Sequence, residues 1–395
     1  MNAQLLAFDP AVPHRDRLLD AGAMHDQLSL IDGGPASAWR VVKVKYQPGR
    51  DLRIVYRDGG AADRLIVART VPHSQETRFR LFPRDRRLPL LPDVMAPAAP
   101  LRSLVDGAWT ASRLAGYAPE KCAVVACLNG NPDRPLAYAK LFAHPEEARA
   151  AFAIAVAVAD RFAGRAAGCA VPRPLCFEGT HHLLFVEAAH GRRLTALGED
   201  AAIDATRRLG GALAELHDSG IDLPVAGGGR TSDRQLEHAA ALIAAARPEL
   251  GAAAAALARR LMGTRPRSSS FVPLHGDVHI KNAVLDGERL WLIDFDQAYT
   301  GPASADLGSF LAVLRVDALI GARTPERAAA LATAFLGGYA DVRPLPPAAE
   351  LRWQTSAALF AERAQRGITR MRRDVLVRLP TVLDEADRNL RRGAA

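Results

Sequence analysis

FVPLHGDVHIKNAVLDGERLWLIDFDQAYTGPASADLGSF, residues 271–310, is the stretch from which the rest of the chain can be read. An apolar run, Phe271–Leu274, leads into His275-Gly276-Asp277, and Asn282 follows Asp277 by five residues. A second run, Ala283–Leu285, turns at Asp286-Gly287 into Leu290–Ile293, which delivers Asp294. Short apolar runs around an Asp-Gly pair read as a strand, a loop and a hairpin. Asp and Asn are common turn residues, and each of the three polar residues taken alone is read that way. As an ordered set they suit phosphoryl transfer. A loop Asp can take the proton of an attacking hydroxyl, while an Asn farther along the loop offers its carbonyl to magnesium. A further Asp at the end of the next hairpin suits the ion that bridges nucleotide phosphates. Oxygen donors on short connections fit a hard, partly hydrated cation better than zinc.

His275-Gly276-Asp277-x-His279-x-x-Asn282, followed by Ile293-Asp294-Phe295-Asp296, resembles the aminoglycoside phosphotransferase and choline kinase superfamily, whose members share the protein-kinase-like fold. The resemblance covers Leu101 to the C-terminal end and is most specific over Phe271–Phe310. It implies Asp277 as catalytic base, Asn282 and Asp294 as magnesium ligands, and ATP and Mg2+ as cofactors. Asp306, in Ala305-Asp306-Leu307-Gly308, matches the family's helix-opening Asp, which implies a brace for the catalytic loop. On physical grounds alone Asp306 could simply cap the helix, so its reading is structural. His275 falls where kinases pack and hydrogen-bond the loop, a supporting place rather than a proton-transferring one. His279 has two readings, contact with a phosphate or substrate and orientation of the loop. Asp296 also has two, contact with a second magnesium ion and acceptance of backbone N–H bonds.

Outward from this stretch the chain divides into three regions. Residues 1–100 form a β-rich cap region with strand-like runs at Arg40–Tyr46, Asp51–Arg57, Arg64–Val71 and Glu76–Phe82. They close with the Pro-rich Leu88–Pro100, read as a linker or ordered loop. Residues 101–189 are again strand-rich, with one Ala-rich helix starting near Pro145. Residues 190–395 read as helical apart from the quoted stretch, over Ala201–Ser219, Ser232–Gly263, Ala303–Leu319, Pro325–Tyr339, Ala348–Met371 and Val375–Arg391. The expected fold class is α+β: a protein-kinase-like bilobal fold, its β-rich N-lobe preceded by an extra β-rich cap, its C-lobe mostly helical. The cap is similar to that of bacterial maltokinase- and glucosamine-kinase-like members, through its strand pattern and a Tyr-x-Pro-x-Arg turn. The two β-rich regions also share a pattern. A shift that aligns Tyr46-Gln47-Pro48-Gly49-Arg50 with Tyr117-Ala118-Pro119-Glu120-Lys121 pairs Gly59 with Gly130, Leu65 with Leu136 and Arg69 with Lys140. This is the pattern of an internal repeat, although β-meanders also match by chance.

Lys140 is the candidate cation for the nucleotide phosphates, because it sits on a strand after a strand–turn–strand unit, where the kinase fold places its phosphate-pairing Lys. Tyr117–Lys121 is the turn expected over those phosphates; it lacks the kinase Gly-x-Gly-x-x-Gly, and Lys121 is the candidate that compensates. The helix after Lys140 offers only Glu146 and Glu147 as ion-pair partners, both near its start, whereas family members carry this Glu deeper. The strand His182–Val186 runs into Glu187-Ala188-Ala189, the hinge position whose backbone groups at Glu187 and Ala189 would read adenine. Arg69 holds the repeat position of Lys140 without a catalytic loop of its own, and is read as structural.

At 395 residues the chain has room for two or three cores. Its net charge of +8 comes mostly from arginines spread along the chain, with no dense basic block and interleaved aromatics, which speaks against a nucleic-acid partner. Met1–Leu30 shows no cationic start before a long apolar run, and Ala151–Ala159 is too short to span a bilayer. A cytoplasmic protein without a membrane partner is therefore expected. Cys122, Cys127, Cys169 and Cys176 form no C-x-x-C pair and read as reduced thiols. The partner is a small molecule with a hydroxyl. The C-terminal helices carry Arg352, Arg363, Arg366, Arg370, Arg372, Arg373 and Arg378 against few acids, which disfavours a polycationic aminoglycoside. Choline favours aromatic cages. A sugar or amino sugar is the expected acceptor, with an aminoglycoside, choline-like or protein acceptor as alternatives, and a regulatory pseudokinase as another. Trp353, Gln354, Glu362 and Arg366, at helical spacing, either line the acceptor pocket or form the core and surface of one helix.

Overall fold

The structure, a computed structural model, describes residues 5–34, 38–60, 64–71, 74, 76–97, 99–105, 108–163, 168–225, 229–268 and 270–392. The chain forms two compact units. The first comprises Met1–Ala153, Arg173–Ala188 and Thr369–Met371; the second comprises Ile154–Pro172, Ala189–Ile368 and Arg372–Ala395.

In the first unit, short helices α1 (Arg15–Leu19) and α2 (His25–Asp32) precede an antiparallel sheet whose strands pair in sequence order. These are β1 (Trp39–Gln47), β2 (Asp51–Asp58), β3 (Leu65–Thr70) and β4 (Thr77–Leu81), matching the four runs read from the sequence. Helices α3 (Leu91–Met95) and α4 (Ala99–Arg102) lead into a second antiparallel sheet. Its strand order is β5 (Ala111–Ala118), β6 (Cys122–Leu128), β7 (Ala137–Phe142), β10 (Leu183–Glu187) and β9 (Pro174–Glu178). The Ala-rich helix is α5 (Pro145–Phe162), and the short β8 (Cys169–Ala170) after it belongs to the second unit.

The Pro-rich stretch is not a linker. Leu88, Leu91 and Val94 are buried, and Pro92 lies in the first turn of α3, where its missing N–H costs no helical bond. The two sheets share one core, in which Val55, Leu65 and Val67 pack with Leu91, Val94, Trp109, Val125, Ala139 and Phe185. Alternation along β6 and β7 sends Ala123, Val125, Ala137 and Ala139 into that core. Lys140, one residue out of phase, is half-buried. The distinction between residues 1–100 and 101–189 is thus one of sheets rather than of cores.

The shared sequence pattern recurs in three dimensions. Asp9 accepts hydrogen bonds from Tyr46 Oη (2.7 Å) and Gly49 N (2.9 Å). Asp85 accepts from Tyr117 Oη (2.7 Å) and Glu120 N (2.9 Å), the same two positions one copy later. Each copy runs through two helices and a buried Trp, Trp39 or Trp109, into a bulged strand. The copies also grip one another. Glu120 receives Arg69 (2.5 Å), Arg86 (3.2 Å) and Arg53 (3.9 Å), and Lys43 Nζ donates to the Tyr117 carbonyl (2.6 Å).

The second unit contains α6 (Glu199–His217), α7 (Asp233–Ala246), α8 (Gly251–Gly263), α9 (Ala303–Leu319), α10 (Pro325–Ala340), α11 (Ala348–Ala358), α12 (Gln365–Thr369), α13 (Arg373–Val377) and α14 (Leu379–Arg391). One small sheet orders β11 (Arg192–Arg193), β13 (Ala283–Asp286), β14 (Arg289–Leu292) and β8, with β8 parallel to β14. The other pairs β12 (Phe271–Leu274) with β15 (Tyr299–Pro302). The helix expected over Ala348–Met371 is interrupted by a π-helical stretch, Leu359–Ala364. Leu209, Leu213 and Leu216 of α6 pack with Phe310, Leu331, Phe335 and Tyr339. Where α6 meets α10, a Cβ on Gly338 would lie 1.8 Å from the Arg207 carbonyl oxygen, so only glycine permits this approach. The α+β class and the kinase-like order of elements follow the sequence reading: a five-stranded sheet with a helix after its third strand, then helices around a loop and hairpin. All four cysteines are free thiols, and no described helix is long and apolar enough to cross a membrane.

Asp85→Ala leaves the Tyr117 hydroxyl and the Glu120 amide without their acceptor. It is expected to lower stability by about 3 kcal/mol, read from the denaturant midpoint, with Tyr117→Phe costing clearly less.

Candidate active site

The loop and hairpin are built so that distant residues return to one place. In the β13–β14 hairpin Ala283 pairs with Leu292, which brings the flanking Asn282 and Asp294 back to the same end. The Ile293 amide donates to the Asn282 carbonyl at 3.0 Å and fixes that closure. His275, fully buried, lies between Ile293 O (3.1 Å from its Nε2) and the Asp277 amide, which donates to its Nδ1 at 3.4 Å. Those partners assign the proton to Nε2. Gly276 has φ +76°, and a Cβ there would fall 2.0 Å from the Gln297 carbonyl oxygen. Asp294 adopts φ +72° without being glycine, a conformation that costs about 1–2 kcal/mol. Such strain is held where a side chain must point in a required direction.

Asp306 lies in the first turn of α9 and is buried, yet its carboxylate does not cap that helix. It accepts from the His275 amide (2.7 Å), the Gly276 amide (3.0 Å) and His217 Nε2 (3.3 Å). His217 Nδ1 is 2.9 Å from Tyr339 Oη. Burial works to raise the Asp306 pKa, and His217 and His275 outweigh it, holding the carboxyl below its ordinary value. Burial also pushes the His217 pKa down, against the pull of Asp306.

Asp277 is crowded by cations. Its Oδ1 is 2.9 Å from Arg230 Nη1 and 3.5 Å from Arg366 Nη2, and its Oδ2 is 3.6 Å from His279 Nε2. Burial acts to raise its pKa, but Arg230, with Arg366 and His279 behind it, holds the carboxyl well below the usual range. Asn282 Nδ2 donates to the Asp277 carbonyl at 3.1 Å. His279 Nδ1 accepts from the Lys281 amide at 3.2 Å. Glu362, buried within the π-helical stretch, receives Arg363 (2.7 Å), Arg230 (3.5 Å), Arg366 (3.9 Å) and Ser309 Oγ (3.1 Å). Burial, Arg363 and Arg230 together push the Arg366 pKa down to about 10.

The second unit therefore brings together Asp277, Asn282, His275, His279 and Asp306 through hydrogen bonds or ion pairs, with Asp294 at the hairpin end and half-buried Asp296 two residues on. Ala189 also belongs to this unit. Lys140 on β7, Lys121 in the β5–β6 turn and Glu187 at the end of β10 belong to the first. Glu187 accepts from the Arg173 side chain and amide, both at 3.3 Å. Glu146 and Glu147 are exposed in the first turn of α5, a favourable place for acids. Trp353 proves to be core, its Nε1 donating to Leu261 O at 2.9 Å, and Gln354 accepts from Thr231 Oγ1 at 3.1 Å. Arg366 lies beside Asp277, and buried Glu362 pairs with both Arg230 and Arg366. Arg230 escaped the sequence reading entirely: it follows the glycines Gly227, Gly228 and Gly229 with no periodicity around it.

Among the described residues no three His, Cys, Asp or Glu side chains gather as metal ligands. A divalent ion here would rely on the Asn282 and Asp294 oxygens plus oxygens brought by a substrate, the manner typical of magnesium.

Residues 130–347 match the phosphotransferase enzyme family. No curated protein matches the chain. Among solved structures, a choline/ethanolamine kinase family protein from Mesorhizobium loti is 15% identical over 76% of this chain and 91% of its own, with a TM-score of 0.46. The macrolide 2'-phosphotransferase MphH from Brachybacterium faecium is 19% identical over 73% of this chain and 98% of its own, with a TM-score of 0.43. An aminoglycoside phosphotransferase from Streptomyces rimosus is 19% identical over 65% of this chain and 93% of its own, with a TM-score of 0.45.

The folded-state pKa of His217 lies below its ordinary 6.5. Below that pH the unfolded chain binds a proton that the folded chain refuses, so stability falls as pH drops through about 6.5 toward the folded value. His217→Gln is expected to flatten this part of the profile between about pH 7 and 5. Urea unfolding across that range checks it.

Proposed function

The chain belongs to the phosphotransferase enzyme family, and on that footing we propose that it is an ATP- and magnesium-dependent kinase with Asp277 as its base. Phosphotransfer to a small molecule follows from the family. The assignment of residues is supported by one observation above all: the loop carrying Asp277 and Asn282 is hydrogen-bonded to the hairpin end carrying Asp294. In this reading Asp277 accepts the acceptor's hydroxyl proton at Oδ2, because Arg230 occupies Oδ1 and fixes the carboxylate's rotation. His279 stands beside Oδ2, and His275 and Asp306 hold the loop in place.

Asn282 and Asp294 are the residues that would hold magnesium. The Asn282 amide nitrogen already serves the Asp277 carbonyl, which leaves its oxygen as the ligand end. The left-handed backbone at Asp294 is the strain expected of a fixed carboxylate ligand. Bound there, magnesium would neutralise charge on the transferring phosphoryl group. In the first unit, Lys140 is the proposed phosphate cation and Lys121 a second. The backbone at Glu187 and Ala189 is proposed to read the adenine edge. Residues 1–100 then act as a cap that holds the phosphate-covering turn, with Arg69 serving Glu120 rather than a nucleotide.

The proposed acceptor is a polyhydroxy, sugar-like molecule. Of the sugar and amino sugar that the sequence suggested, the guanidiniums at Asp277 favour the one without an amine. The intact Asp277, Asn282 and Asp294 favour an active enzyme over a pseudokinase.

Asp277→Asn is expected to lower kcat by about 10³-fold while Mg-ATP still binds in a calorimetric titration. Lys140→Ala is expected to raise the KM for ATP by about tenfold. Native turnover in Asp277→Asn would remove Asp277 from its role.

A further inference from the structure

Arg230 and Arg366 are more than the proposed chemistry needs. One cation would suffice to orient Asp277, and a general base is weakened, not helped, by a second one. Yet both guanidiniums stand on the same oxygen, Oδ1, at 2.9 and 3.5 Å. The fold invests in holding them there. Glu362 is buried within the π-helical stretch and contacts both, and Thr231, next to Arg230, is tied to buried Gln354 on α11. A π-helical insertion frequently marks a functional position, because it redirects the side chains of one turn.

The local charges do not cancel. Among the described residues, Arg230, Arg363 and Arg366 pair with two carboxylates in this cluster, Asp277 and Glu362. Arg230 makes both of its contacts through Nη1 and Arg366 both of its contacts through Nη2. Among the described residues, neither fork therefore has both terminal nitrogens engaged. Both side chains are a quarter exposed, so a ligand can reach them. Two planar forks with an excess of positive charge suit an oxyanion, which guanidinium binds bidentately.

We propose that the acceptor carries an oxyanion group, a carboxylate or a phosphate, close to the hydroxyl that receives the phosphoryl group, and that Arg230 and Arg366 bind it. This inference rests on the kinase reading above, since it places the hydroxyl at Asp277. A hydroxyl donating to Asp277 Oδ2 has its neighbouring substituents within reach of both guanidiniums. An anionic substituent there is drawn in and positioned. An ammonium group meets like charge at the two guanidiniums, which disfavours amino sugars, aminoglycosides and choline by the same geometry.

The test uses the full chain with Mg-ATP and matched acceptors: glucose, glucosamine, gluconate and glucose 6-phosphate, then glycerol and glycerate. The anionic members are expected to show kcat/KM at least about tenfold above their neutral partners, with glucosamine poorest. The carboxylate and phosphate arms then identify which oxyanion is meant. Arg366→Gln is expected to raise the KM for anionic acceptors by about tenfold and to erase the preference; Arg230→Gln is expected to do the same and also to lower kcat, because Arg230 fixes the rotation of Asp277. A preference for neutral or aminated acceptors overturns the proposal. So does a fall in kcat for every acceptor in Arg366→Gln with the preference intact, which would assign that guanidinium to the transferring phosphoryl group. The same compounds are titrated against the wild-type protein and both variants by thermal shift, so the result does not depend on turnover. Anionic compounds that bind no better than their neutral partners overturn the proposal as well. Failure to bind Mg-ATP would instead sink the kinase reading, whereas ATP turnover without anion preference sinks only this inference.

Discussion

The carboxylate of Asp306 ties the loop that carries Asp277 to the helical core, and most of the second unit is arranged so that this buried charge is stabilised. Three successive loop amides, the first two of them buried, need partners. Asp306 satisfies those of His275 and Gly276, and the ring of His275 satisfies that of Asp277. The third interaction of Asp306, with His217, passes the constraint to α6, and through Tyr339 to α10. Those two helices approach so closely at Gly338 that no side chain fits between them. A buried carboxylate surrounded by hydrogen-bond donors is stable, but removing any one donor exposes the cost of the charge itself. The loop therefore has one conformation. The positive φ of Gly276 and the reach of Asn282 to the Asp277 carbonyl both follow from it.

Charge balance around Asp277 is settled differently. There the fold gathers arginines from a loop and from the helix past a π-helical stretch, then divides two carboxylates among them. Asp306 is balanced by neutral N–H groups and stays fixed. Asp277 is balanced by charged guanidiniums that it shares with Glu362. Asp306, in the first turn of α9, meets the start of the loop through its amides, and Asp277 stands on that loop two residues after His275.

What the sequence made legible follows from how local each signal is. The loop and hairpin were readable because Asp277, Asn282 and Asp294 are spaced by turns that a short window contains. Strands β1–β4 were readable because apolar alternation survives in them. By contrast, Tyr299-Thr300-Gly301-Pro302 has no such alternation, and it is a strand only because β12 lies beside it. The prolines around Leu91 and Val94 concealed a helix whose buried face is spaced by three residues. Arg230 has no local signature at all: it sits in a single 3-10 turn, Gly229–Thr231, and its partner is 47 residues away. Arg366 was visible on a helix, but the π-helical turn that rotates it toward Asp277 was not.

The two similar β-sheets of the first unit bear on a different quantity, conformational entropy. The turn Tyr117–Lys121 is held by Lys43 on its carbonyl, by Asp85 on its amide and tyrosine, and by three arginines on Glu120. Every one of these contacts comes from residues that precede it by more than thirty positions. A glycine-rich loop keeps its freedom in the unbound protein and surrenders it when a ligand arrives, which subtracts from affinity. Here the ordering is completed as the first unit folds. The turn has little freedom left to lose, so whatever binds against it does so without that loss.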